Sequence, residues 1–588
     1  MFVPPIGPQG PHRYQREYDV SGAKRFERTL VTAALPYANG PIHLGHLAGV
    51  YVPADIYVRF LRMRGEEVLF ICGTDEHGVP ITLTAEREGI DPKTLVDRNY
   101  PGIRDSFAGL GVDFDNFSQT SRPIHHETSQ AFFLDLHEHD QLEQGTSLQY
   151  YSEETGRFYP DRYVEGTCPN CSETARGDQC ESCGTQIEPE ELIDPHSVTD
   201  GSAITLKEST HWFLPMGKLQ EWLQPWIEGH SDWKENVLNY CRGWFDRGLG
   251  SRAVTRDLYW GVPVPLPDHE GKVLYVWFDA PIGYISATRE WAAEQGDPEA
   301  WRTWWQDPGT RLVHFIGKDN IVFHALLFPA MLHAHSEDYV VPDNVPANEF
   351  LNLEGAKLST SRGHAVWLPD YLESYPPDSL RYCLARNMPE TRDTNFTWDD
   401  FAARHNSELA DVLGNFVNRA LTFTGKYFDQ KVPPRAKWTD TDQRALDGIL
   451  ATTRRVEADM RAFRLRAAAE AIFLLSKEAN RYFDESEPWA TRKNDPDRCA
   501  TSLYVCCQYV RALCGLWASF LPHTMQTLWD ALGTGTSLRE DGWPTGGNWL
   551  PEGHPVTKPP ILFAKFDEDE FASEKDRLAK ARRTDTES

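Results

Sequence analysis

Lysine is scarce in this 588-residue chain: 17 residues against 42 arginines. The 59 basic residues are outnumbered by 87 acidic ones, which leaves a formal net charge of -28. That balance is a poor starting point for gripping a phosphate backbone by charge alone, because such contacts favour basic proteins. Two readings of the acidity stand side by side. One is the acidic, well-hydrated surface that many cytosolic proteins carry. The other is adaptation to a salty cytoplasm, where the screening length contracts to about 3 Å at molar ionic strength and recognition rests on close hydrogen bonds and stacking. Long apolar runs are also missing, and none approaches the roughly 20 residues of a membrane-spanning helix. Residues 1–28 are polar and proline-bearing and lack the apolar core of a secretion signal. These absences predict a cytoplasmic chain outside the membrane, with an N-terminal extension over 1–28. A disulfide framework is missing too. Seven of the 11 cysteines (Cys72, Cys241, Cys383, Cys499, Cys506, Cys507, Cys514) are scattered, and an odd, scattered set predicts buried apolar thiols.

What is present falls into segments. Residues 29–35, Thr-Leu-Val-Thr-Ala-Ala-Leu, read as a short buried strand, followed by a Pro/Gly/Asn loop, a helix over about 43–64, and a second strand over 67–72. Strand, glycine-bearing loop, helix, strand opens a doubly wound nucleotide-binding sheet. Further strand-like runs at 273–278 and 311–317 predict that this sheet resumes after an insertion. The expected architecture is α/β: a parallel Rossmann-type sheet interrupted by a cysteine-bearing insertion, then an all-α bundle. The expected units are 1–28 (extension), 29–140 (first half of the sheet domain), 141–270 (insertion), 271–346 (second half), 347–408 (a region with a polar loop), 409–566 (helical bundle) and 567–588 (a charged tail expected to fray). The bundle rests on helical spacing at Leu409, Val412, Leu413, Phe416, Val417, Ala420 and Leu421, and again from Leu503 to Leu521.

Five strings carry chemistry. In Ala34-Leu-Pro-Tyr-Ala-Asn-Gly-Pro-Ile-His-Leu-Gly-His46, His43 and His46 share a face at a helix N-terminus, where free N–H groups and the helix dipole favour phosphate. Gly45 between them leaves room for a flat ring. Lys357-Leu-Ser-Thr-Ser-Arg362 lies between Gly355 and Gly363 as a mobile loop would, and its lysine can neutralise a leaving polyphosphate. Cys168-Pro-Asn-Cys171 and Cys180-Glu-Ser-Cys183 are two Cys-x-x-Cys knuckles separated by eight residues, the spacing of a closed, structural tetrahedral zinc site. Trp277-Phe-Asp-Ala-Pro-Ile-Gly-Tyr284, read as the end of a strand, puts Trp277 and Tyr284 at the carboxyl edge of the sheet, where doubly wound folds bind ligands. Gly73-Thr-Asp-Glu-His-Gly78 places Asp75 at another strand end, in reach of a cationic group.

From Thr29 to Phe566 the chain resembles the class I aminoacyl-tRNA synthetases, and within them the methionyl-tRNA synthetase family. The first string is similar to that class's HIGH signature and the second to its KMSKS loop. The resemblance implies activation of L-methionine by ATP with Mg²⁺, then transfer to the 3′-terminal adenosine of initiator and elongator tRNA(Met). It implies that His43, His46, Lys357 and Arg256 serve catalysis, and that Gly45, Lys357, Ser359, Thr360, Ser361 and Arg362 bind ATP. The amino-acid pocket it implies is Leu35, Asp75, Trp277, Ala280, Pro281, Tyr284, Phe323 and His324, with Asp75 on the α-ammonium. Asn415, Arg419 and Trp489 resemble the anticodon-reading residues. One departure stands out: the family's second loop lysine is Thr360 here, with Arg362 close by. A second zinc, found in some members on extra knuckles, is not expected, because 152–156 and 195–201 hold no cysteine. A monomer is expected, since the chain stops short of the oligonucleotide-binding domain that dimerises some members. The leucine, isoleucine and valine enzymes resemble one another in carrying an editing insertion much longer than 141–270, and the cysteinyl enzyme resembles this chain less, because the Trp277–Tyr284 string and the anticodon residues are of the methionyl pattern. A non-catalytic tRNA-binding relative predicts broken signatures, and a zinc-ribbon regulator explains only the cysteines.

Overall fold

The structure, a computed structural model, describes residues 26–160, 163–176, 187, 189–267, 269–359 and 363–583. Five strands form the central sheet: β1 (Arg28–Ala33), β2 (Glu67–Thr74), β3 (Asn116–Gln119), β4 (Thr310–Gly317) and β5 (Ala347–Asn348). All pair in parallel, in the order β5-β4-β1-β2-β3. Parallel sheets are covered on both faces, so their strands read as apolar runs. Leu30 pairs with Leu312 on one side and Leu69 on the other, and all three are buried. The chain winds from β1 outward to β3, then returns to lay β4 on the other side of β1. The order therefore reverses between β1 and β4, and a crevice at their carboxyl ends is where such sheets take ligands.

The helix expected after β1 is present. Leu44–His46 passes into a π-helical stretch, Leu47–Tyr51, and on into α1 (Val52–Met63). The strand expected at 273–278 is not part of the sheet. Only Lys272–Leu274 is extended, and it pairs antiparallel with Thr255–Asp257. From Val276 the chain is helical, as α2 (Val276–Glu294). Nearly every side chain from Val276 to Thr288 is buried. A helix buried on all sides loses its 3.6 periodicity, and a short apolar run then reads equally well as a strand.

The insertion builds an antiparallel sheet from Glu143–Ser152, Arg157–Phe158, Thr205–Leu214 and Arg252–Ala253. A smaller sheet of Val164–Thr167, Thr174–Arg176 and Ile193–Ser197 has its own apolar core, which includes Tyr150, Tyr163 and Cys168. C-terminally, the helices Asn415–Tyr427, Asp440–Arg461, Leu465–Ser486 and Pro496–Trp517 form the bundle, the last of them buried from Cys499 to Trp517. The seven scattered cysteines are all buried. Within the tail expected to fray, the described residues form α3 (Ala572–Arg583), preceded by Phe571, whose ring stacks on Trp398 at 4.7 Å, and 584–588 lie outside the described residues. Charge dominates this segment's composition, yet Phe571 and the buried Leu578 dock it, with Arg577 and Arg582 bonding backbone carbonyls of the neighbouring loop.

Candidate active site

The loop after β1 turns into helix through its two histidines. His43 is the N-cap, and its Nδ1 accepts the backbone N–H of Gly45 (3.1 Å) and of His46 (3.4 Å). His46 Nδ1 accepts the N–H of His43 at 3.3 Å. Histidine thus takes the capping role usually held by Ser or Asp. Burial pushes His43 down to about 4 and His46 well below its ordinary value. Both rings are therefore neutral near pH 7. With each Nδ1 accepting, the proton lies on each Nε2. The rings stack, with centroids 3.7 Å apart and planes 15° from parallel.

The polar loop folds onto this corner. A Cβ on Gly45 would come within 2.6 Å of Leu358 Cδ1 and 3.0 Å of His43 Cε1. The space above Gly45, expected to admit a flat ring, is filled here by Leu358. Ser359 and His364 bridge antiparallel, and Lys357 is exposed. Beyond the loop the chain pairs with the first signature: Leu44 N–H donates to Val366 O (3.2 Å) and Leu368 N–H to Ile42 O (2.8 Å). Thr360, Ser361 and Arg362 lie outside the described residues.

Asp75, at the end of β2, is buried, and its Oδ1 accepts the N–H of His77 at 3.2 Å. Its backbone clasps the β1 loop, donating to Pro36 O and accepting from Ala38 N. Burial and the nearby Asp279 charge push its carboxyl well above the usual range. A cationic group entering here would relieve both effects.

An aromatic pocket stands alongside. Trp277 and Phe323 stack face to face at 3.8 Å, and Tyr37 meets Trp277 edge-on at 6.3 Å. The hydroxyl of Tyr284 lies 2.8 Å from His324 Nε2, while His324 Nδ1 is 3.1 Å from Asn320 O. Burial holds His324 down at about 4, so the ring is neutral. Nδ1–H then donates to the carbonyl, and Nε2 accepts from Tyr284. Ala280 and Pro281 are buried in the first turns of α2. Proline has no N–H, so Pro281 leaves the carbonyl of Trp277 free of its helical partner. Leu35 reaches the same helix, 3.3 Å from where a Cβ on Gly283 would stand. Phe323 and His324 sit on a second π-helical stretch, Val322–Leu327, and such stretches often accompany functional sites.

Arg256, on the strand Thr255–Asp257, lies over the ring of Tyr275 at 4.2 Å. With Trp277 and Phe323 it lines a cleft of about 970 Å³ between the sheet domain and the insertion. The structure thus gathers His43, His46, Gly45 and Leu358 at one corner, and Asp75 with the aromatic pocket beside it.

Two groups of expected residues lie elsewhere. Cys168 and Cys171 flank the turn between Val164–Thr167 and Thr174–Arg176, and Cys180 and Cys183 fall outside the described residues. On the bundle, Arg419 lies over Phe483 (4.3 Å) and near Trp489 (6.0 Å), and bonds Asp484 at 2.5 Å. Trp489 is exposed, as is Asn415, one helical turn before Arg419 and just after a π-helical stretch, His405–Gly414. Sequence reasoning missed His77, His125 and Asp279, three buried polar residues behind the pocket. Two of them stood inside strings already singled out, as the histidine of 73–78 and the aspartate of 277–284.

Comparison with known proteins agrees with this layout. A family profile described as tRNA synthetases class I (M) matches residues 29–421, and one described as the anticodon binding domain of methionyl tRNA ligase matches 432–583. The first places the chain among the class I aminoacyl-tRNA synthetases. The methionine–tRNA ligase of Porphyromonas gingivalis W83 is 51% identical over 551 residues, covering 93% of this chain and 80% of that protein. The methionine–tRNA ligase of Salinibacter ruber is 50% identical over 578 residues, covering 94% and 81%. The Mycobacterium tuberculosis methionyl-tRNA synthetase in complex with methionyl-adenylate superposes with a TM-score of 0.76 at 27% identity, covering 91% of this chain and 99% of that one. Within its class, the chain belongs to the methionine–tRNA ligase family. Among the described residues no helix is long and apolar enough to cross a membrane.

Proposed function

We propose that this chain performs its family's reaction, the joining of L-methionine to tRNA at the expense of ATP, with the following division of labour. Methionine's carboxylate attacks the α-phosphorus of ATP, releasing pyrophosphate. The Nε2–H groups of His43 and His46 and the ammonium of Lys357 face the charge that builds on the phosphates. Gly45, Ser359, Thr360, Ser361 and Arg362 complete the ATP contacts, with Mg²⁺ accompanying the nucleotide. Asp75 takes the α-ammonium. Leu35, Trp277, Ala280, Pro281, Tyr284, Phe323 and His324 enclose the thioether, a polarisable group that suits aromatic walls. Arg256 faces substrate charge from the insertion side. Catalysis rests on positioning and electrostatics, with no covalent enzyme intermediate.

The observation that carries this reading is the buried Asp75 beside an aromatic pocket, one loop away from two neutral histidines. The carboxylate and the aromatic walls suit an amino acid, and the paired histidines suit the phosphates of a nucleotide. Single-stranded anticodon bases are read by stacking and edge hydrogen bonds, and Asn415, Arg419 and Trp489 offer an amide, a guanidinium and an exposed ring for that. For zinc, the first knuckle fits a thiolate ligand. Asn170 N–H donates to Cys168 Sγ at 3.4 Å, and Ser172 turns the chain with a φ of 62°. Cys168, Cys171, Cys180 and Cys183 would hold one ion, which cross-links the small sheet and takes no part in the chemistry. A monomeric, cytoplasmic enzyme completes the proposal.

Amino-acid-dependent ATP–pyrophosphate exchange tests it, with methionine beside leucine, isoleucine, valine and cysteine. Exchange with methionine alone, abolished by Asp75→Ala, is expected. Exchange that survives Asp75→Ala unchanged would overturn the pocket assignment.

A further inference from the structure

Behind the pocket lies a buried polar cluster to which none of the roles above is given. Asp279 stands in the first turn of α2, between Trp277 and Ala280, and is 1% exposed. His77, two residues beyond Asp75, is 2% exposed, and His125 is fully buried. His77 Nδ1 lies 2.6 Å from Asp279 Oδ2, while the backbone N–H of His77 donates to Asp75 Oδ1. His77 Nε2 and Asp279 Oδ1 find no hydrogen-bond partner among the described residues, so one bond joins this pair. His125 Nε2 stands 3.6 Å from Asp279 Oδ2, and the His125 ring bonds Ser286 (3.0 Å) and Ser129 (3.2 Å).

We propose that Asp279 and His77 are positioning residues for the amino acid: their hydrogen bond locks the turn that presents Asp75 to the helix that carries Trp277, Ala280 and Tyr284. This rests on the reading of Asp75 as the ammonium anchor. The ammonium and the side chain of an amino acid leave the same carbon, so anchor and pocket must keep a fixed spacing. Misplacement by about 1 Å can cost on the order of 100-fold. The anchor belongs to the sheet and the pocket to a helix, and packing between them is close but apolar. A Cβ on Gly78 would stand 3.2 Å from Val276. The His77–Asp279 bond adds direction to that contact. It also places a charge: burial works to raise the Asp279 carboxyl, but the two imidazoles overcome this and hold it below the usual range. Its negative potential at Asp75 favours a cation there.

Two imidazoles and a carboxylate, with ligand atoms within 4.8 Å of one another, also make a donor set for a metal ion. The geometry favours the hydrogen bond. Ligands about 2.0–2.1 Å from a tetrahedral zinc stand well over 3 Å apart, whereas His77 and Asp279 are 2.6 Å apart.

The test is steady-state exchange on the full chain for Asp279→Ala, Asp279→Asn, His77→Ala and His77→Asn, with Asp75→Asn as the control. His77→Ala and Asp279→Ala should raise KM for methionine about 10-fold while KM for ATP stays within about 2-fold, the loss of an aligning bond to one substrate. His77→Asn, whose amide can replace Nδ1–H, should restore most of the affinity, and Asp279→Asn, which keeps an acceptor without the charge, should fall between. The double alanine variant should be no worse than either single one. The inference is overturned if KM for methionine does not move, if both KM values rise together with a loss of thermal stability, or if a metal ion beyond the cysteine-bound one disappears in Asp279→Ala. An unchanged KM in Asp75→Asn would instead sink the reading of the anchor.

Discussion

Leu358 rests on the α-carbon of Gly45, so the two signatures, more than 300 residues apart in sequence, touch through a methyl group at a position with no side chain. A Cβ on Gly45 would meet that methyl at 2.6 Å and the His43 ring at 3.0 Å. The leucine tip can move aside, but the ring is pinned by two backbone N–H groups. Gly45→Ala should therefore lower the pyrophosphate-exchange rate by about 10- to 100-fold, in line with displaced transition-state contacts. Thermal stability should change little. Leu358→Ala in the same chain should recover part of the loss, and an unimpaired Gly45→Ala would show that the contact is incidental.

The two signature histidines also set a dependence on pH. Burial depresses His43 to about 4 and holds His46 and His324 below the ordinary histidine value. A depressed base binds fewer protons folded than unfolded, so the stability it contributes is complete above about 6.5 and is lost as pH falls toward 4. The contribution of these rings to thermal stability should be constant from pH 8 to 7 and decline through that window, so that melts fall less steeply with acidification in His43→Asn than in the parent chain. Exchange activity should show no inflection from these rings between pH 6.5 and 8. An inflection that disappears in His43→Asn would mean that the ring is protonated when it works.

In the side-chain pocket, the donor is Tyr284 and the acceptor is His324 Nε2, because the neutral His324 ring spends its single N–H proton on Asn320 O. Tyr284→Phe leaves a buried acceptor without a partner, a cost of about 1–3 kcal/mol. KM for methionine should rise by roughly 5- to 150-fold, the kinetic equivalent of that cost. His324→Gln, which keeps an acceptor at the Nε2 position, should be milder than His324→Ala. Equal effects of the two substitutions would show that the ring only packs.

Much of this site was legible because its chemistry is local in sequence. The pairing of His43 with His46, Asp75 at a strand end, and the aromatic residues of 277–284 each sit within a short string, and the fold brings those strings together at the reversal of strand order. What sequence concealed was partnership at long range. Nothing in 73–78 reveals that His77 reaches across 202 positions to Asp279. Most of the strand expected at 273–278 is helix, from Val276 onward, because full burial erases the helical period. The tail read as a fraying charged segment because Phe571 is a single aromatic among acids and bases, and its stacking on Trp398 is a tertiary fact.

That tail bears on the loop. Arg577, on α3, donates to Gly363 O (3.3 Å) and Ala365 O (2.9 Å), just after the signature, and Arg582 donates to Glu354 O (2.7 Å), just before it. Glu354, Gly355 and Gly363 all have positive φ (48°, 79° and 70°), a region that suits glycine and marks where the loop bends. One helix thus grips both ends of the loop whose lysine is proposed above to face the phosphates of ATP. The bonds run from charged donors to carbonyls, and such bonds contribute about 1.5–3 kcal/mol when sheltered, less where exposed as Arg582 is. The double substitution Arg577→Ala with Arg582→Ala should leave KM for methionine unchanged, because the pocket lies elsewhere. It should raise KM for ATP or lower the exchange rate by about 5-fold, as a loosened loop closes less often in the productive position. Faster proteolytic cleavage within 354–365 should accompany the kinetic change. Unaltered ATP kinetics with unaltered cleavage would reduce the tail to a packing element, and a loss of methionine affinity would mean that its influence extends past the loop to the sheet.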